Sequence, residues 1–245
     1  MTMARIVAPE TLDALAQDDP AAMRSRRDLR RVHRAMGTRA IIVRALWEMH
    51  ASRHASHVTT LRVLELGAGD GSLMLGVASA LGSVWSNVEL TLLDRQSLVD
   101  ASTIARYAAL GWTATPQTVD VLDWAARNAA PTDNAAGDWD LIVANLFLHH
   151  FEAAELAAVL AAIAASSKYL FACEPRRAWL ALAGSQLIGV IGANAVTRED
   201  AVLSVHAGFR DKELTNLWPA HGGEWSLREY PAGLFSHCFR AQRVK

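Results

Sequence analysis

Three stretches of the chain carry residue types and spacings that can do chemistry. In Glu65-Leu66-Gly67-Ala68-Gly69-Asp70-Gly71-Ser72, alternating glycines sit among two acids, directly after the apolar run Leu61-Arg62-Val63-Leu64. A buried strand that ends in a glycine-rich turn and opens a helix is a common cradle for a nucleotide. In Asn145-Leu146-Phe147-Leu148-His149-His150-Phe151 two imidazoles follow an apolar run. Imidazole titrates near neutral pH, so either ring can deprotonate a phenol or enol. In Cys173-Glu174-Pro175-Arg176-Arg177 a carboxylate ends a further apolar run. Strand carboxyl ends face the ligand crevice in open α/β sheets, so Glu174 is a candidate for meeting a substrate, or for pairing with an arginine.

The loop itself restricts the nucleotide. A triphosphate loop needs Gly-Lys-Ser/Thr at its end, and no lysine follows here. A dinucleotide loop needs glycine at its first, third and sixth positions. Here Gly67, Gly69 and Gly71 occupy the first, third and fifth, and Glu65 and Asp70 would repel a pyrophosphate. A methionyl sulfonium donor has the opposite need: it has no phosphate and its ammonium group seeks carboxylates. Acid-x-Gly-x-Gly-x-Gly after the first strand resembles the first motif of class I S-adenosylmethionine-dependent methyltransferases. The likeness extends over roughly residues 60 to 175. Asp94, followed by Arg95, ends the second strand, where an acid meets the ribose hydroxyls. Asp120-Val121 resembles the acidic-then-apolar pair that holds the adenine. Asp138-Trp139-Asp140-Leu141-Ile142-Val143-Ala144-Asn145 resembles the fourth-strand motif, whose end lies beside the reacting methyl.

That resemblance implies S-adenosylmethionine as cofactor, bound by Glu65, Gly67, Ala68, Gly69, Asp70, Gly71, Asp94, Arg95, Asp120, Val121 and Asn145. The Leu-His-His variant is similar to small-molecule methyltransferases, and RRDLRRVHRAMG, NLFLHHF, CEPRR and VTREDAVLSVHAGF together look like bacterial methyltransferases of polyketide pathways. The expected reaction is in-line methyl transfer to a small lipophilic phenolic, quinone or polyketide-like acceptor, most readily at oxygen. His149 or His150 is expected as base, and Glu174, Arg198 and His206 as acceptor contacts. No metal is expected, because no His/Cys ligand spacing stands out; His50, His54 and His57 read as a polar linker. The rival readings are an RNA or protein methyltransferase using the arginines of residues 24–34, or a non-catalytic cofactor-binding partner subunit.

The elements that must position these residues alternate. Strands are expected at Leu61–Leu66, Val88–Leu93, Thr113–Val119, Leu141–Leu146 and Tyr169–Cys173, with helices at Ser72–Leu81, Leu98–Leu110, from Leu122 and at Glu152–Ala165. Buried strands alternating with helices imply a doubly wound α/β fold with a mostly parallel sheet. Two strands around Pro231-Ala232-Gly233 would close it as an antiparallel hairpin, giving the seven-stranded Rossmann-like methyltransferase sheet that the resemblance implies. Residues 1–57 read as a helical extension or lid, with Asp19-Pro20 opening a helix, Gly37 ending it and Leu29, Val32 and Met36 as its apolar stripe. Residues 58–245 form the methyltransferase domain, with a substrate-shaping insertion at about 176–220.

Bulk properties narrow the partners. The 245 residues carry a formal charge of −1 and are 51% apolar, enough for a large core and no general attraction for nucleic acid. Two lone cysteines and no signal-like apolar start suit a cytoplasmic protein. The chargeless run Ala178–Val196 just reaches spanning length, but its glycines, Ser185, Gln186 and Asn194 favour a buried helix, a substrate wall or a dimer contact over membrane insertion.

Overall fold

The protein, seen in a computed structural model, is described for residues 3–52, 60–129, 139–220 and 224–244. Asp138, His54 and His57 lie outside these residues. Seven strands form one sheet: β1 (Leu61–Leu66), β2 (Val88–Asp94), β3 (Trp112–Thr118), β4 (Leu141–Asn145), β5 (Tyr169–Pro175), β6 (Trp225–Ala232) and β7 (Ser236–Arg243). Their order is β3-β2-β1-β4-β5-β7-β6. β1 through β5 run parallel, and the β6–β7 hairpin adds the antiparallel edge, with Cys173 of β5 facing Cys238 of β7.

Strand residues alternate between two cores because successive side chains leave opposite faces of a strand. Val63, Leu90, Val143 and Phe171 pack against α3 (Thr38–Ser52), α4 (Ser72–Leu81) and α5 (Ala101–Ala109). Leu64, Leu66, Ile142 and Leu170 pack on the other face against α6 (Val121–Asn128) and α7 (Ala153–Ser166). Strand order reverses between β1 and β4, and the crevice at that switch point receives the loops after β1, β2 and β4.

The N-terminal residues divide into two roles. α3 contributes Ile42, Leu46 and Met49 to the main core. α1 (Thr11–Ala14) and α2 (Pro20–Met36) instead lie against α9 (Ala195–Ala207). Asp19 caps α2 by accepting from Ala21 N, and Gly37 closes it in the left-handed region at φ 68°. The buried stripe of α2 is Ala22, Ser25 and Asp28, not Leu29, Val32 and Met36. Its partner is polar: Ser25 Oγ lies 2.7 Å from Thr197 Oγ1, and Asp28 accepts from Asn194 N at 2.8 Å.

The run 178–196 also differs from expectation. It breaks into α8 (Trp179–Leu187) and a 3₁₀ turn at Ile188–Ile191, stopped by Gly192 at φ 83°. Trp179, Leu180, Leu187 and Val190 point to solvent, so the segment is neither a buried helix nor a wall of the crevice. Among the described residues no helix is long and apolar enough to cross a membrane. α10 (Glu213–Leu217) completes the insertion.

Arg177 ties this insertion to the sheet. Its buried guanidinium donates to Gly208 O, to Met3 O at 3.0 Å and to the Glu213 carboxylate. A planar fork reaches three separated acceptors in fixed directions, which the compact ammonium of lysine does not reproduce. Arg177→Ala is therefore expected to lower stability by about 2–4 kcal/mol, with lysine recovering only part. Urea unfolding checks this; a change within the error of the method would show that these contacts carry no weight.

Candidate active site

The loop after β1 is built by backbone geometry that glycine alone adopts easily. Gly67 has φ 68°, and a Cβ there would lie 2.3 Å from Phe147 Cδ2. Gly69, at φ 56°, faces open space, leaving room above the loop. Asp94 bridges this loop to the next one: one oxygen accepts from Gly69 N at 2.8 Å and the other from Gln96 N at 2.9 Å. Gly71 lies behind the wall, where its carbonyl accepts from the Tyr107 hydroxyl at 2.7 Å. Asp120 caps α6 through Leu122 N, and Val121 is buried beside it. These loops border a cleft of about 460 Å³ that also meets Asn145, His149 and His150.

Glu65 is a strongly perturbed acid of the cleft. Burial, then the charges of Asp70 and Asp94, push its carboxyl up to about 8. Its Oε2 is buried and has no hydrogen-bond partner, and neither does Asn145 Oδ1. Two unpaired acceptors in one cleft are a cost that a bound donor would remove.

The opposite wall is organised by Glu174, which has no exposed surface. Its carboxylate accepts from Phe147 N, Leu148 N and His149 N at 3.1–3.4 Å, and from His149 Nδ1 at 2.8 Å. Glu174 thus shapes the Leu148–His150 turn from behind and does not line the cleft, so it is a positioning residue and not an acceptor contact. His150 donates from Nδ1 to Phe147 O at 2.9 Å. Both rings then turn Nε2 toward Glu10, at 3.4 Å from one oxygen each. Burial pushes the Glu10 carboxyl up, but hydrogen bonds from His149 and His150 outweigh it and hold the group well below its ordinary range. Burial pushes the His150 imidazole down, yet Glu10 and Asp13 raise it to about 9.

The N-terminal segment covers the cleft. Thr11 N and Leu12 N donate to Asp200, and Arg5 donates to the carbonyls of His149 and Phe151. Arg30 pairs with Asp70 at 2.8 Å, Arg26 donates to Gln96, and Arg95 reaches back to Asp13. His33 of α2 also lines the cleft, where burial lowers its imidazole to about 4 despite Asp70.

Most residues expected from the sequence therefore meet in one crevice, but four do not. Besides Gly71 and Glu174, Arg198 is exposed and packs over Gly189, and His206 lies outside the cleft on α9. The residue that sequence reasoning missed is Glu10. It stands 139 positions before His149 in a short acidic stretch, and no spacing signal links them.

Residues 35–180 match a family model described as lysine methyltransferase. The chain belongs to this family. No curated protein matches it. Among solved structures, the plantazolicin methyltransferase BpumL, in complex with a monoazolic desmethylPZN analog and SAH, has a TM-score of 0.62 at 13% identity, over 92% of this chain and 91% of that one. Magnesium protoporphyrin IX methyltransferase from Synechocystis PCC 6803, with bound SAM, scores 0.50 at 14% identity, over 96% of this chain and 88% of that one. An O-methyltransferase family protein from Burkholderia thailandensis scores 0.51 at 17% identity, over 95% of this chain and 64% of that one. At these identities the likeness is one of fold.

The protein is thus a class I methyltransferase, and its cofactor is S-adenosylmethionine. The cleft fits that group: a glycine loop with open space above it, no cation for a phosphate in the loop itself, and an unpaired buried carboxyl oxygen on Glu65 suited to an ammonium.

The protonated Glu65 has a measurable consequence. Between pH 4.5 and about 8, the folded cofactor-free methyltransferase holds a proton that an exposed glutamate has lost. The folded state binds more protons there, so this group's contribution to stability falls as pH rises through that window. An ammonium beside Glu65 would favour the carboxylate and expel the proton. Calorimetry of S-adenosylhomocysteine binding at pH 7, in buffers of different ionisation enthalpy, should show proton release that Glu65→Gln removes. Equal release in the variant would overturn Glu65 as the ammonium partner.

Proposed function

We propose that this methyltransferase transfers a methyl group to a small, lipophilic phenolic, quinone or polyketide-like acceptor, at oxygen. The observation that carries the proposal is the cleft itself: the loops after β1, β2 and β3 form one wall, His149 and His150 the other, and Leu12, Arg26, Arg30 and His33 of the N-terminal segment flank it. A cleft of about 460 Å³ lies within the roughly 300–1,000 Å³ of small-molecule sites. Three arginines that would serve an RNA or acidic peptide are engaged within the protein, Arg26 with Gln96, Arg30 with Asp70 and Arg31 with Asp28. The small-molecule, SAH-bound complexes of the plantazolicin methyltransferase support the same class of acceptor.

When bound, S-adenosylmethionine supplies an electrophilic methyl on sulfur. The chain's own part is to hold cofactor and acceptor at near-attack distance, worth on the order of 7–11 kcal/mol. Glu65 would hold the ammonium, Asp94 the ribose, Asp120 and Val121 the adenine, and Asn145 would border the reacting methyl. The cluster of His149, His150 and Glu10 would assist loss of the acceptor's proton. Direct abstraction by an imidazole requires Glu10 to leave, because each Nε2 faces one of its oxygens.

The family's description names lysine, and a lysine side chain is the second reading. It would have to enter past residues 5–34. Incubation with methyl-labelled cofactor and a panel of phenols, quinones, polyketide-like lactones and a lysine-rich protein separates the two. Label is expected in a phenolic oxygen, and His150→Ala should lower that turnover by roughly 10²–10⁴-fold while S-adenosylhomocysteine still binds. Label found in protein lysine alone would overturn the small-molecule reading.

A further inference from the structure

Glu10, His149 and His150 each offer one donor atom to the cleft, and the three atoms lie within 4.8 Å of one another. We propose that these three side chains bind a divalent cation of the zinc class. The inference rests on the reading of this cleft as the methyl-transfer site and names what completes its acceptor side.

Ring orientation is the first argument. A metal-bound imidazole commonly donates its other N–H to a carboxylate or a carbonyl, which fixes the tautomer and aims the remaining lone pair. Both rings are held that way. His149 Nδ1 donates to the Glu174 carboxylate at 2.8 Å, and His150 Nδ1 donates to Phe147 O at 2.9 Å. With an ion in place of the Nε2 proton, each ring would present its Nε2 lone pair to the same place, where Glu10 arrives from the N-terminal segment.

Separation is the second argument. A hydrogen bond between charged nitrogen and carboxylate is about 2.7–2.9 Å long. The two imidazole-to-Glu10 distances are both 3.4 Å. Donors sharing a zinc at 2.0–2.2 Å in tetrahedral geometry stand about 3.4 Å apart. Each ring nitrogen thus stands at a shared-ion distance from one Glu10 oxygen, a different one for each ring, and the three donor atoms lie within 4.8 Å of one another.

Charge is the third. Glu174 spreads its charge over backbone N–H groups, whereas Glu10 meets the two imidazoles and the Ser204 hydroxyl among the described residues, with Asp13 adding a further carboxylate 3.9 Å from His150. Arg95 pairs with Asp13 at 3.3 Å, so the charge that a two-plus ion would balance is chiefly that of Glu10. Two imidazoles and one carboxylate without thiolate suit zinc and its divalent neighbours, and leave coordination positions open. Those positions face the cleft, where a phenol or enol oxygen bound to the ion would lose its proton to water more readily.

Cobalt(II) alone is the probe, because its visible d–d absorption reports coordination. Chelator-treated, tag-free protein is expected to bind one equivalent of Co²⁺ and develop that absorption, and zinc is expected to displace it. Glu10→Gln and His150→Ala should each weaken Co²⁺ binding by at least about tenfold, whereas His206→Ala, outside the cleft, should not. Circular dichroism and S-adenosylhomocysteine binding by each variant report an intact fold. Wild-type protein that binds S-adenosylhomocysteine but no Co²⁺, or variants that bind Co²⁺ as tightly as wild type, would overturn the cation site and leave the cofactor reading standing. Failure to bind S-adenosylhomocysteine at all would overturn the methyl-transfer reading of the cleft and the cation inference with it.

Discussion

The Glu174 carboxylate, buried at the end of β5, gathers the N–H groups of Phe147, Leu148 and His149 together with the His149 ring. Taking a carboxylate out of water is expensive unless hydrogen bonds replace the lost hydration. Here the turn after β4 supplies them, so the charge is tolerable only while that turn keeps its shape. The dependence runs the other way as well. Leu146 enters the turn at φ 48°, an uncommon conformation for a leucine, and the hydrogen bonds to Glu174 help hold it there. β4 and β5 are neighbours in the sheet, which is why two loops remote in sequence can share one anion.

The two walls of the cleft are held by different forces. The glycine loop continues directly from β1, whose Leu64 and Leu66 are wholly buried, so it inherits the rigidity of the core. The cover is held by polar contacts, Asp200 to the start of α1, Ser25 to Thr197, Asp28 to Asn194 and Arg5 to the His149 turn, beside the buried Ala22. Each such bond contributes only about 0.5–1.5 kcal/mol net in water.

The sheet, its helices and the cofactor loops were legible in the sequence because they depend on local pattern. β1 and α4 fall where the apolar run and the glycine turn put them, and α5 starts three residues later than expected because Asp100 caps it through Thr103 N. What escaped depends on contacts between distant residues. Ser25 and Asp28 carry no local signal for burial, because their partners Thr197 and Asn194 lie more than 160 positions away. Glu174 was legible as a strand-end acid, yet which way it faces depends on a turn in another loop. Glu10 had no periodicity, motif or neighbour to mark it. The apolar segment after Arg177 misled for the same reason: its composition is that of a wall, while its position is on the outside.

The origin of Glu10 has a consequence for how the family's chemistry can be changed. The glycine-loop wall of the crevice is encoded by loops that continue the strands, but Glu10 reaches it from the segment before α1. That segment could be exchanged without altering a single strand, because it belongs to none.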